Sequence, residues 1–129
     1  MRSEMFSSIL RELNGTSADI EASAVISTDG LMIASMLPAE MDEDRVGAMS
    51  AAILSLGDRS AAELSRGTLE QVLIKGDHGY ILMTHASEEA VLTVIAKPKA
   101  RLGLIFLDVK RAAEEIARQL RLRDIGGLV

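Results

Sequence analysis

Cysteine and tryptophan are absent from the 129-residue chain, and its aromatic residues are two Phe and one Tyr. Without cysteine there is no disulfide, no cysteine-ligated metal and no thiol nucleophile, a state compatible with a reducing cytosol. Scarce aromatics weigh against a small-molecule pocket, which is usually lined by them. No apolar run approaches the roughly 20 residues that a membrane-spanning helix needs. The opening segment, Met1-Arg2-Ser3-Glu4-Met5-Phe6, has neither the continuous apolar core nor the Ala-x-Ala site of a secretory signal. The formal charge is −5 with Lys and Arg scattered, which disfavours nucleic acid as a partner. These absences predict a soluble cytoplasmic protein that neither enters a membrane nor binds nucleic acid.

Catalytic motifs are missing as well. No Gly-Lys pair occurs, so there is no P-loop, and the dinucleotide pattern Gly-x-Gly-x-x-Gly and the nucleophile elbow Gly-x-Ser-x-Gly do not appear. The two histidines, His78 beside Asp77 and His85, have no third ligand at metal-binding spacing. Acidic pairs at 42–44, 88–89 and 114–115 fall at a helix start, a turn and a solvated helix face. Arg45, Arg59 and Arg66 read as solvated or ion-paired side chains. The sequence therefore predicts no enzyme, no metal and no cofactor.

What is present is aliphatic: Ala, Leu, Ile, Val and seven Met fill a chain that is 48% hydrophobic. The length suits one domain. Asp29-Gly30 between Ala24-Val25-Ile26 and Leu31-Met32-Ile33-Ala34 predicts a tight hairpin of strands 21–28 and 31–36. A helix over 3–14 precedes it, with Met5, Phe6, Ile9, Leu10 and Leu13 on one stripe and a stop at Asn14-Gly15. Pro38 ends the hairpin. Strands 68–75, 80–86 and 90–96, joined by short turns, predict an antiparallel meander. A helix over 101–120 follows, with Leu102, Ile105, Phe106, Val109, Ala113, Ile116 and Leu120 inward. Residues 121–129 read as a loose tail after a single domain over 1–120. The order α-β-β-α-β-β-β-α describes an α+β sandwich.

The long helix over 42–65 carries the strongest surface signal. Val46, Met49, Ile53, Leu56 and Leu64 read as its sheet-facing stripe. The rest of its circumference is still small and apolar: Gly47, Ala48, Ala51, Ala52, Leu54, Ser55, Ala61 and Ala62. Asp58, Arg59 and Glu63 are the only charges between Val46 and Leu64. A helix with so little charged surface is buried on two sides, and a second copy of the chain is the simplest cover.

The segments 24–35 (AVISTDGLMIAS), 49–59 (MSAAILSLGDR), 69–74 (LEQVLI), 76–83 and the Leu102-Gly103 opening of the last helix resemble, in this order, the roadblock family, the dynein light chain roadblock type. The resemblance spans about residues 4–120. It implies a profilin-like fold with a five-stranded antiparallel sheet in the order 2-1-5-4-3. It also implies a homodimer in which third strands pair into a ten-stranded sheet and long helices pack side by side. The implied contact comprises Gly47, Ser50, Ala51, Leu54, Asp58 and Ala61 on the helix, and Leu69, Gln71 and Leu73 on the pairing edge. Members of the family are non-enzymatic regulators or scaffolds of Ras-like small GTPases, so the implied partners are a second copy and such a GTPase. A structural adaptor in a larger motor- or scaffold-associated complex, without effect on nucleotide turnover, is the alternative. A small-molecule sensor on the same sheet is disfavoured by the missing aromatics.

Overall fold

The hairpin at Asp29-Gly30 forms as predicted, and it sets the register of the sheet. In the computed structural model, which describes residues 2–127, β1 (Ile20–Ser27) and β2 (Met32–Met36) run antiparallel around it. The backbone N–H of Ser27 donates to the Leu31 carbonyl at 2.8 Å, and Gly30 takes φ +91°, a conformation that L side chains rarely adopt. Leu31 leaves the ladder and points to solvent.

β1 continues into the sheet by pairing with β5 (Ala90–Ala96), which pairs with β4 (Gly79–His85), which pairs with β3 (Val72–Gly76). Every pairing is antiparallel and the order is β2-β1-β5-β4-β3. β1 and β5 are largely buried on both faces because they sit in the middle of the sheet, and apart from the exposed Glu21 their side chains are aliphatic or small. β3 begins at Val72, four residues later than predicted. Leu69 instead packs against the backbone of the long helix at Gly57, and the Glu70 carbonyl accepts from the Thr84 hydroxyl at 2.8 Å.

The sheet has a helical layer on each face. On one side α1 (Arg2–Thr16) and α3 (Leu102–Gly127) bury Phe6, Leu10, Leu13, Ile105, Val109 and Ile116 against Val25, Leu82, Leu92 and Val94. The buried residues of α1 recur at helical spacing, as the sequence predicts. α1 runs two residues past Asn14 and closes with the Thr16 hydroxyl bonded to the Leu13 carbonyl. Asn14 is held by the hydroxyl of the buried Ser23, 2.7 Å away. α3 is longer than predicted: residues 121–127 are helical rather than loose, and residues 128–129 lie outside those described. Arg121-Leu122-Arg123 are good helix formers and no breaker intervenes before Gly126, so the helix runs past its predicted end. On its surface the Glu115 carboxylate accepts from Arg118 and Gln119, and the hydrogen bond from Arg118 holds that carboxyl down at about 2.

On the other side lies α2 (Glu43–Glu63), capped by the Asp42 carboxylate, which accepts from the backbone of Asp44 at 3.0 Å. The sheet-facing side of α2 differs from the one predicted. Gly47, Ser50 and Leu54 are its buried residues, whereas Met49, Leu56 and Leu64 face solvent. Close approach explains the difference. A Cβ on Gly47 would lie 2.5 Å from the Gly30 carbonyl oxygen, so only glycine lets the helix seat there. One turn on, the Thr93 hydroxyl donates to the Ser50 hydroxyl at 2.9 Å in a fully buried pair. Val46 and Ile53 pack beside this row, and Leu54 closes a second core with Ala24, Ile26, Met83 and Val91.

Three outcomes follow. Gly47→Ala is expected to destabilise the protein although Ala is favoured over Gly by about 1 kcal/mol within a helix, whereas the same change at Gly103, with open space around it, costs nothing; urea unfolding of the two variants checks this. Ser50→Ala strands the Thr93 hydroxyl and is expected to cost about 1–3 kcal/mol in the same measurement. Glu115→Gln is expected to cost under about 1 kcal/mol at neutral pH, because the pair is exposed. A depressed carboxyl contributes stability above its unfolded value and loses it as pH falls, so the Glu115→Gln variant and its parent converge as pH drops from about 4.5 toward about 2.

Candidate interaction surface

The nine residues that the sequence offers for a contact between copies are split by the structure. Gly47, Ser50 and Leu54 belong to the protomer's own core, with Leu54 only 1% exposed, so they have no area left to give to a partner. Asp58 is committed too: both of its carboxylate oxygens lie 3.0 Å from Nε2 of His85 at the end of β4. That pair pins the C-terminal half of α2 to the sheet. Nδ1 of His85 is buried without a hydrogen-bond partner, so neither ring nitrogen is open to a substrate. Leu69 is tucked beneath Gly57, its methyl 3.1 Å from where a Cβ would stand. Ala51 and Ala61 lie half-buried on the flank of α2. Gln71 and Leu73 are exposed at the sheet edge.

The sequence reading placed Ala48 and Ala52 on the outward side of α2 but missed Met49 and Leu56, which also face outward. Ala48, Met49, Ala52 and Leu56 recur at helical spacing on the exposed side of α2, with Met49 50% and Leu56 62% exposed, and Leu64 continues the row past the helix end. The signal was in the sequence, since Met49 and Leu56 are among the large apolar residues of the helix. Ranking positions by hydrophobicity sent them to the sheet, and the small residues that permit close approach took that place instead.

Two further features flank this face. β3 pairs with β4 alone, so its outer edge is open. Alternation along β3 turns Val72 and Ile74 toward α2 and leaves Leu73, 41% exposed, on the face of α3. There, a groove of about 610 Å³ runs between α3 and the ends of β3 and β4, lined by Gln71, Thr84, Phe106, Leu107 and Lys110 among others. Among the described residues no group of three His, Asp or Glu could hold a metal ion, and no helix is long and apolar enough to cross a membrane.

Comparisons with known proteins agree with this geometry. The chain is 47% identical over 112 residues to MJ1340 of Methanocaldococcus jannaschii, a protein of uncharacterised function, covering 87% of this chain and 96% of the relative. Its fold superposes on that of an MglB solved in a tetrameric arrangement, with a TM-score of 0.82, 22% identity and coverage of 91% and 88% of the two chains. It also superposes on the Roadblock/LC7 domain from Streptomyces avermitilis, with a TM-score of 0.84, 17% identity and coverage of 89% and 97%. Profilin IB of Acanthamoeba castellanii, at a TM-score of 0.65, 15% identity and coverage of 88% and 98%, shares the same sandwich. The sequence model of the Roadblock/LC7 domain matches residues 7–96, from α1 through the last strand, and this chain belongs to that family.

Proposed function

We propose that the chain is a non-enzymatic homodimeric module that binds a Ras-like small GTPase and adjusts its nucleotide cycle. The observation that carries the reading is the outward row Ala48, Met49, Ala52 and Leu56 on α2, standing beside the open edge of β3. Burying a Leu or Met side chain is worth about 1.5–3 kcal/mol, and a two-fold contact counts each residue twice. An edge strand left open invites pairing with another chain. In this reading the β3 edges of two protomers extend the sheet to ten strands and the α2 rows pack side by side. Met49, Ala52 and Leu56 form the centre of the contact, with Ala51, Ala61 and Leu73 at its margin. Gly47, Ser50, Leu54 and Asp58 support it from beneath.

Family membership supports the GTPase as partner. The mechanism is conformational: the dimer favours one nucleotide state of the GTPase through the difference in its contacts with the two states, and shifts the equilibrium by that difference and no more. No side chain need be inserted into the GTPase for this, so the module works without chemistry of its own.

Leu56→Asp is expected to halve the mass measured by light scattering while leaving the far-ultraviolet circular dichroism of the parent. A variant that keeps the parent's mass sinks the α2 contact. Leu54→Asp is expected instead to unfold the protomer. GTP hydrolysis by a small GTPase encoded beside this chain in its genome is expected to change several-fold when the protein is added, and an unchanged rate removes the regulatory reading.

A further inference from the structure

α3 presents a second surface, on the layer opposite α2. Leu104, Asp108, Arg111, Glu115, Arg118 and Leu122 are spaced by 4, 3, 4, 3 and 4 residues along it. That spacing keeps all six on one side of a helix, as in the seam of a coiled coil. The stripe is turned away from the sheet: the buried residues Ile105, Val109, Ile116 and Leu120 lie on the other side of α3. Its middle residues Asp108, Arg111 and Glu115 line a groove of about 540 Å³ between α1 and α3, to which α1 contributes Ile9, Leu13 and the exposed Met5.

The order of chemistry along the stripe reads the same forwards as backwards once opposite charges are matched. Laid antiparallel about residue 113, Leu104 of one helix meets Leu122 of the other, Asp108 meets Arg118, and Arg111 meets Glu115. Each of the six positions thus finds an apolar or oppositely charged counterpart, and no like charges meet. A parallel arrangement would set every charge against its own kind. Within the protomer only Glu115 and Arg118 are paired with each other. Asp108 and Arg111 have no ion pair or side-chain hydrogen bond among the described residues.

We propose that this stripe of α3 docks antiparallel on the same stripe of a second copy, a contact separate from the α2 and β3 surface. The occupant is a second copy because the charge sequence is complementary to itself. Leucines close both ends, and the neighbouring groove between α1 and α3 gives the partner helix a partly apolar bed. Exposed charge pairs are individually weak and salt-sensitive, so this contact forms and dissolves with ionic strength, unlike the apolar α2 row.

The absence of cysteine makes the arrangement directly testable on the full chain. Leu104 and Leu122 are each about half exposed, so cysteine there leaves the core alone, and 18 helical residues keep the two about 27 Å apart within one protomer. Under mild oxidation at low salt, an equimolar mixture of Leu104→Cys and Leu122→Cys is expected to give a covalent heterodimer, with at least several-fold less dimer from either variant alone. The yield from the mixture is expected to fall several-fold in 1 M salt as the charges are screened. The same crosslink is expected in a Leu56→Asp background, which separates this contact from the one through α2. Equal crosslinking by Leu104→Cys alone, no crosslink from the mixture, or a yield indifferent to salt would each overturn the proposal.

Discussion

The whole arrangement depends on how near α2 comes to the sheet. At Gly47 the helix backbone sits against the Gly30 carbonyl with no room for a methyl group, and one turn later Ser50 meets Thr93 by a buried hydroxyl-to-hydroxyl bond. A helix seated this close contacts the sheet through small residues. Its larger apolar side chains must then go to the flanks or outward. Val46 and Ile53 take the flanks, and Met49 and Leu56 point outward. The apolar outer face is thus a geometric consequence of the seat. A glycine in a hairpin turn and another in a helix together decide which residues α2 turns outward.

Much of the architecture was legible because local signals agreed with one another. Asp29-Gly30 marked the first hairpin, Asp42 with Glu43 and Asp44 marked the start of α2, and the short turns at 76–79 and 87–89 marked the meander. Family resemblance supplied the strand order, which no local pattern contains. Boundaries shifted where tertiary contacts took over. Leu69 was drawn off the β3 ladder by the hollow at Gly57, and α3 ran past residue 120 because nothing in Arg121-Leu122-Arg123 stops a helix.

The interaction surface was half legible. Apolar coverage around α2 was visible in the sequence. Which residues face outward was not, because periodicity reports an angle between stripes and not which stripe faces inward. Hydrophobicity favoured Met49 and Leu56 for the sheet, and the close approach through Gly47 and Ser50 reversed the assignment. His85 shows the same limit. Its place at the end of β4 was readable, but its bond to Asp58, 27 residues away in the chain, depends on where α2 crosses the sheet.

The two outward surfaces differ in chemistry, and that difference orders any assembly built on them. The row on α2 is aliphatic and adjoins an open strand edge, so association there removes apolar area from water and closes a backbone ladder; neither term is weakened by salt. The stripe on α3 is mainly charged, and its attraction falls as ionic strength rises. The first surface would therefore hold under conditions of ionic strength in which the second is loose. Both proposed contacts would be two-fold. Two two-fold contacts on one chain close into a tetramer when their axes meet at right angles, into a larger closed ring when they meet at another closing angle, and otherwise extend into a filament. With α2 and α3 on opposite faces of one sheet, the directions of the two helices and the sides of them that carry the contacts set the angle between the axes, and so decide between those outcomes.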